Sequence, residues 1–103
     1  MIINGIYWKV FFVNAGSKYL TRSDGSTTIG MTDGKTHTIY LYRGLQGYML
    51  DKVLAHELVH AFMFSYNIHI DIEEEEFIAD WVSIYGRDLI YMLDKFMQSA
   101  KKA

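Results

Sequence analysis

The sequence contains neither cysteine nor proline. Without cysteine no disulfide can staple the fold, and any metal ion must be held by histidine and carboxylate side chains. Without proline, the two long periodic stretches in the second half carry no strong internal helix breaker. No apolar run approaches the ~20 residues needed to cross a bilayer, so no membrane span is expected. The first thirteen residues are largely apolar, but they lack a basic start, include Lys9 and show no small-residue cleavage site, which argues against a signal peptide. A dominant charge is missing too: the net value is -2, and the ten Lys and Arg residues are scattered from Lys9 to Lys102 without forming a stripe. A nucleic-acid partner is therefore not expected, and the chain reads as cytoplasmic.

What is present is enough for one packed domain. The 103 residues, half of them hydrophobic, fit a single unit over residues 1–103 with one core and one site. Trp8, Phe11, Phe12, Trp81 and Phe96 are the large aromatic side chains expected in that core. Residues 6–13 carry apolar and β-branched side chains on both parities, as in a strand buried on both faces. Asp24-Gly25 marks a turn, and residues 27–32 follow as a short strand. Asp33-Gly34 then signals a hairpin whose second strand is residues 36–42, where polar and apolar positions alternate. That second strand is expected to form an exposed sheet edge.

Beyond Gly44 and Gly47 the period changes. Leu50, Val53, Leu54, Leu58, Ala61 and Phe62 recur at helical spacing and predict a helix over residues 48–66. A second helix follows, fixed by Phe77, Ile78, Trp81, Val82, Tyr85 and Leu89, with Glu73 to Glu76 near its amino terminus, where carboxylates interact favourably with the macrodipole. The terminal residues Lys101, Lys102 and Ala103 read as a frayed helix end. The expected fold class is α+β, a small antiparallel sheet packed on two main helices.

Chemistry concentrates in the first helix. His56-Glu57-Leu58-Val59-His60 is an HExxH motif, and residues four apart on a helix lie one above the other, so both imidazoles can reach one zinc ion at ~2.0–2.1 Å. Glu57 is rotated by about 100° from His56, suited to act as a base and not as a ligand. A catalytic zinc site needs a third protein ligand and an open fourth position. A third histidine six residues after His60, with glycine at the third, would mark a metzincin, but Met63 and Tyr66 stand there. His69 lies just past the helix and is expected to be a loop residue. Glu76 is the favoured ligand, because it pairs with Asp80 one turn later on the same face, and Asp80 can accept a hydrogen bond from the far nitrogen of a ligating histidine. His37 is assigned no role. Tyr48, Tyr66, Tyr85 and His69 are candidate donors to an oxyanion, each equally explained by packing.

HExxH on one helix followed by the Glu76-to-Asp80 pattern ExxAD on the next resembles the gluzincin metallopeptidases. In so short a chain it is most similar to the ImmA/IrrE-type enzymes of phages and mobile elements. The resemblance spans residues 27–85 and departs from the family pattern at Val59, where glycine is frequent. It implies a minimal zincin-like domain with one zinc ion on His56, His60 and Glu76, Glu57 as general base and Asp80 behind the ligands. It also implies a metallo-endopeptidase acting on a protein or extended peptide, in that family often a regulator or repressor. Two other classes stay open: a zinc-binding regulatory or interaction module without catalysis, and a zinc hydrolase of non-peptide amides.

Overall fold

The computed structural model describes residues 1–101, so Lys102 and Ala103 of the expected frayed end lie outside the described residues. The class is α+β. In chain order the elements are β1 (Ile2–Ile3), β2 (Ile6–Tyr7), β3 (Lys9–Val13), a 3₁₀ turn at Lys18–Leu20, β4 (Gly30–Asp33), β5 (Thr38–Tyr42), α1 (Gly47–Ser65) and α2 (Ile72–Lys101). No helix among the described residues is long and apolar enough to cross a membrane.

β1 and β2 form a small hairpin of their own. Its two-residue turn is Asn4-Gly5, both with positive φ, the pairing that matches the natural twist of a tight hairpin. The main sheet has three strands in the order β3-β5-β4. β4 and β5 are antiparallel, whereas β3 runs parallel to β5, so the sheet is mixed and not the antiparallel one expected. The chain leaves β3, crosses one face through the 3₁₀ turn and enters β4 before returning as β5. That crossing segment covers the sheet face opposite α1: Leu20 is fully buried, and the ring of Tyr19 stacks on Tyr40 at 4.6 Å.

Three strand expectations are thereby corrected. Residues 36–42 do not form a sheet edge: the strand begins at Thr38 and is central, paired on both sides. The edge beside the helices is β4, which begins at Gly30, later than residues 27–32 suggested. Residues 6–13 are not a strand buried on both faces. They split at Trp8, and β3 is the other edge, with Phe11 and Phe12 about half exposed. Apolar content alone was a poor guide there, because much of any folded surface is apolar. Of the aromatic residues expected inside, only Trp8 is fully buried. Phe11, Phe12, Trp81 and Phe96 are exposed, the last two because α2 has little packed against its outer faces.

α1 is the central layer, with β1, β4 and β5 on one side and α2 on the other. Ile3, Trp8, Ile39, Leu41 and Ala61 make the core, flanked by Leu50, Val53, Leu54 and Leu58 from the apolar stripe of α1. Ala61 has no side chain to hold the sheet away, and Ala79 plays the same part on the face of α2 turned to α1. Trp8 donates its indole N–H to the Ser65 hydroxyl at 2.8 Å, which satisfies both polar groups inside the core. The helix stops at Asn67, held at a φ of 56°, with Ile68 N–H on the Met63 carbonyl and Asn67 N–H on the Phe64 carbonyl. This is a Schellman ending with asparagine in the left-handed position that glycine usually takes. It reverses the chain so that α2 returns antiparallel along α1.

The core assignment sets two unequal costs. Leu41→Ala removes a fully buried side chain and is expected to cost ~2–5 kcal/mol of unfolding free energy. Phe12→Ala on the exposed edge should cost no more than about 1.5 kcal/mol. Urea denaturation of the two variants checks the order.

Candidate metal centre

Two imidazoles one turn apart on α1 face the start of α2. His56 and His60 point their Nε2 atoms at the same place, 3.3 Å apart. The Glu76 carboxylate meets both, with Oε2 3.1 Å from His56 Nε2 and Oε1 2.9 Å from His60 Nε2. One donor atom from each of the three residues lies within 4.8 Å of the others. Two ligands held at ~2.0–2.1 Å by a tetrahedral ion sit roughly 3.3–3.4 Å from each other, so the imidazole nitrogens already have the separation such a centre requires. Neutral imidazoles facing one another through Nε2 gain little unless a cation or a shared proton lies between them. The donor set therefore fits a small divalent cation of zinc type.

The opposite nitrogens are anchored by carboxylates of α2. His56 Nδ1 lies 2.9 Å from Asp80 Oδ1, and His60 Nδ1 lies 2.5 Å from Glu75 Oε2. A carboxylate on Nδ1 fixes the orientation of the ring and turns Nε2 inward. Asp80 stands where the sequence placed it, behind His56. Glu75 is the residue that sequence reasoning missed. It stands about 100° around the helix from Glu76, off the line that Glu76 shares with Asp80, yet adjacent carboxylates can straddle a helix contact, one reaching the inner nitrogens and the other the far side of the second ring. The partner spacing was a usable signal: Glu75 and Asp80 are five apart, His56 and His60 four apart, and the helices run antiparallel. Glu73 and Glu74 are exposed at the helix start.

Glu57 is nearly buried, at 7% exposure, between α1 and β4. Thr32 of β4 donates its hydroxyl to Glu57 Oε1 at 2.9 Å and also lies 3.0 Å from the Glu57 carbonyl. Burial pushes the carboxyl above its ordinary range. The Thr32 hydrogen bond and the two imidazoles pull it back, and the negative Glu76 adds to the rise. A carboxyl whose affinity for a proton is raised in this way is suited to take a proton and return it.

These groups line a cleft of about 620 Å³ between β4 and α2, with α1 as its floor. β4 runs in the same direction as α1: Gly30 lies against Val53 and Glu57, and Gly34 against Phe64. His69 lines the cleft, with its Nε2 2.8 Å from Asn67 Oδ1. Tyr48, Tyr66 and Tyr85 are exposed and stand outside it, so of the four candidate oxyanion donors only His69 borders the cleft. His37 lies in the turn before β5, with its ring 5.3 Å from Trp8 and 5.5 Å from Phe64, a packing position away from the donors.

At Gly30 the edge strand lies close against the helix. A Cβ there would lie 2.7 Å from Val53 Cγ1 and 3.1 Å from Glu57 Cγ. Gly30→Ala must therefore push β4 away from the Glu57 carboxyl, and it is expected to cost ~1–3 kcal/mol. Adding Val53→Ala should relieve the clash, so that the double variant is more stable than the sum of the two single losses predicts, as read from a denaturation double-mutant cycle. Comparison of the chain with protein-family models, curated proteins and solved structures gives no match, so the functional reading rests on this geometry.

Proposed function

We propose that this chain is a zinc-dependent metallo-endopeptidase with a minimal zincin-like fold. The observation that carries the reading is the pairing of two features in one cleft. One is the convergence of His56 Nε2, His60 Nε2 and the Glu76 carboxylate; the other is a nearly buried glutamate, hydrogen-bonded by the edge strand, in the same cleft. Neither a surface ion-pair cluster nor a purely structural site needs the second.

His56, His60 and Glu76 would hold the ion, while Asp80 and Glu75 keep the imidazoles oriented. Zinc supplies, when bound, a Lewis acid and a water acidified to a pKa of about 7. Glu57 accepts the proton of the attacking water and delivers it to the leaving amine, and its raised affinity for a proton suits both steps. Thr32 holds the carboxylate in place through Oε1, leaving the other oxygen for the proton. His69, at the cleft wall, is the side chain best located to donate to the developing oxyanion.

The substrate class follows from β4. Tyr42 N–H bonds to the Ile29 carbonyl, and Met31 and Asp33 continue the same alternation opposite Tyr40 and Thr38. The N–H and C=O groups of Gly30 and Thr32 therefore face away from β5, towards the open edge. An extended peptide can add there as a further strand and run past the donor cluster. A folded regulator with an exposed strand or loop, or a flexible peptide, fits this edge.

Glu57→Gln separates chemistry from metal binding. The variant is expected to keep one zinc per chain while losing at least about a hundredfold in peptide hydrolysis, because the base is not a ligand. The folded-state rise of the Glu57 pKa favours the protonated form, so its contribution to stability falls as pH rises above the ordinary carboxylate range. The neutral amide removes that penalty, and the melting temperature of the metal-free variant at pH 8 should be no lower than that of the parent. Full turnover by Glu57→Gln on a validated peptide would rule out the mechanism; stoichiometric zinc in a parent chain inactive on every peptide would favour the non-catalytic binding module.

Zinc affinity across the acidic run gives a second test. His56→Ala, His60→Ala and Glu76→Gln each remove a ligand and should abolish tight binding. Glu75→Gln and Asp80→Ala loosen only the ring anchors, for an expected loss of about 10–100-fold. Glu73→Gln and Glu74→Gln should leave affinity unchanged, and a large loss at either would show that the register of α2 is different. Isothermal titration against a competing chelator measures the whole series.

A further inference from the structure

α2 is longer than the part of it that α1 covers. The antiparallel pair runs from His60 and Glu75 at one end to the ion pair of Asp51 with Arg87, 2.6 Å apart, near the start of α1. Beyond Arg87, α2 continues for roughly 20 Å at 1.5 Å per residue. This arm is not a polar, self-sufficient helix. Val82, Tyr85, Leu89, Met92 and Phe96 alternate at spacings of three and four, the seam of a two-stranded coiled coil, and their exposure climbs from 37% at Val82 to 68% at Phe96. A seam of this kind gains its stability only against a second helix.

We propose that the seam pairs with the same seam of a second copy, antiparallel about a two-fold axis between Leu89 and Met92. Charge selects both partner and direction. With Leu89 and Phe96 at heptad positions a and Tyr85 and Met92 at d, Asp88 and Lys95 occupy successive g positions, and the e positions, Gly86, Leu93 and Ala100, are uncharged. In a parallel pair g faces e′, which would leave both charges without partners. In an antiparallel pair g faces g′, so Asp88 meets Lys95 of the second copy and Lys95 meets its Asp88, a self-complementary arrangement of the kind an isologous interface requires. Both residues are exposed, and Lys95 has only a distant approach to the Tyr91 ring, at 6.0 Å. The core layers are then Leu89 on Met92′ and Tyr85 on Phe96′.

The stripe through Phe77, Trp81, Ile84 and Tyr91 is also exposed, but Asp88 and Lys95 interrupt it and it cannot close against a copy of itself. The seam lies roughly 180° around α2 from Glu76 and Asp80, so pairing leaves the cleft open. Because the helices cross at their distal halves, the two α1-and-sheet bodies sit at opposite ends of the pair. With half or more of most seam side chains available, the contact involves on the order of 1,000 Å² in total, the lower limit for a specific association.

Sedimentation equilibrium of the full chain tests this directly, independently of any metal. The parent is expected to be in monomer–dimer equilibrium with Kd on the order of 10 µM. Asp88→Lys opposes two lysine pairs and should weaken the dimer at least about tenfold, as should Lys95→Asp with its two aspartate pairs; the double exchange should restore it. Either single variant carries the test should the other fail to fold, with circular dichroism reporting the helix content. A parent that stays monomeric to about 300 µM, a dimer indifferent to both single changes, open-ended oligomers, or a double exchange as weak as its parents would each overturn the proposal.

Discussion

Two imidazoles on one helix can share an ion only if each turns one ring nitrogen towards the same point, and a free histidine ring has no reason to do so. Here the second helix imposes it. Asp80 and Glu75 hold the two Nδ1 atoms from outside, while Glu76 meets the two Nε2 atoms from inside. The order of carboxylates along α2 is therefore matched to the order of histidines along α1 in reverse, which fixes the helices as antiparallel and in one register. The Schellman ending at Asn67 and the close approach at Ala79 are the local devices that deliver α2 in that register.

The same face carries an electrostatic imbalance. Four carboxylates, Glu57, Glu75, Glu76 and Asp80, crowd around the two imidazoles. Four carboxylates near two imidazoles repel one another unless positive charge arrives, either as protons on the rings or as a cation between them. Glu57 holds a proton more tightly, chiefly because it is buried and in smaller part because the negative Glu76 lies beside it. Glu75 is the other shielded member, whereas Glu76 and Asp80 keep much of their surface in water, where repulsion is screened.

The helical half of the molecule was legible in the sequence and the strand half much less so. The apolar stripe from Leu50 to Phe62 has the period of one face, so helix, orientation and the turn carrying His56 and His60 all follow from spacing. Strand identity depends on what lies across the sheet, which spacing does not contain. Thr38, Tyr40 and Tyr42 alternate with Ile39 and Leu41 as in a half-exposed edge strand, yet Tyr19 and Leu20 from a distant turn cover their outer face. Phe11 and Phe12 read as core and lie on an open edge. Glu75 escaped notice for a related reason: single-face logic treats a helix as meeting its neighbour along one line, whereas two ring systems a turn apart meet it along two.

α2 adds only Ala79 to the fully buried apolar side chains, so little hydrophobic burial fastens its first turns to α1. What does so there is largely polar, the four histidine contacts and, further along, the exposed pair of Arg87 with Asp51. Exposed ion pairs contribute on the order of 0–1 kcal/mol each. A cation bound by His56, His60 and Glu76 would join the two helices directly, and any ligand that binds only the folded state stabilises it by RT ln(1 + [L]/Kd), about 4 kcal/mol at a thousandfold excess over Kd. That is large against the 5–15 kcal/mol total stability of an ordinary small domain. The metal that would make the cleft reactive would then also be a principal fastening between the two helices that form it, so that a loosely docked α2 and an incomplete donor set are one and the same state.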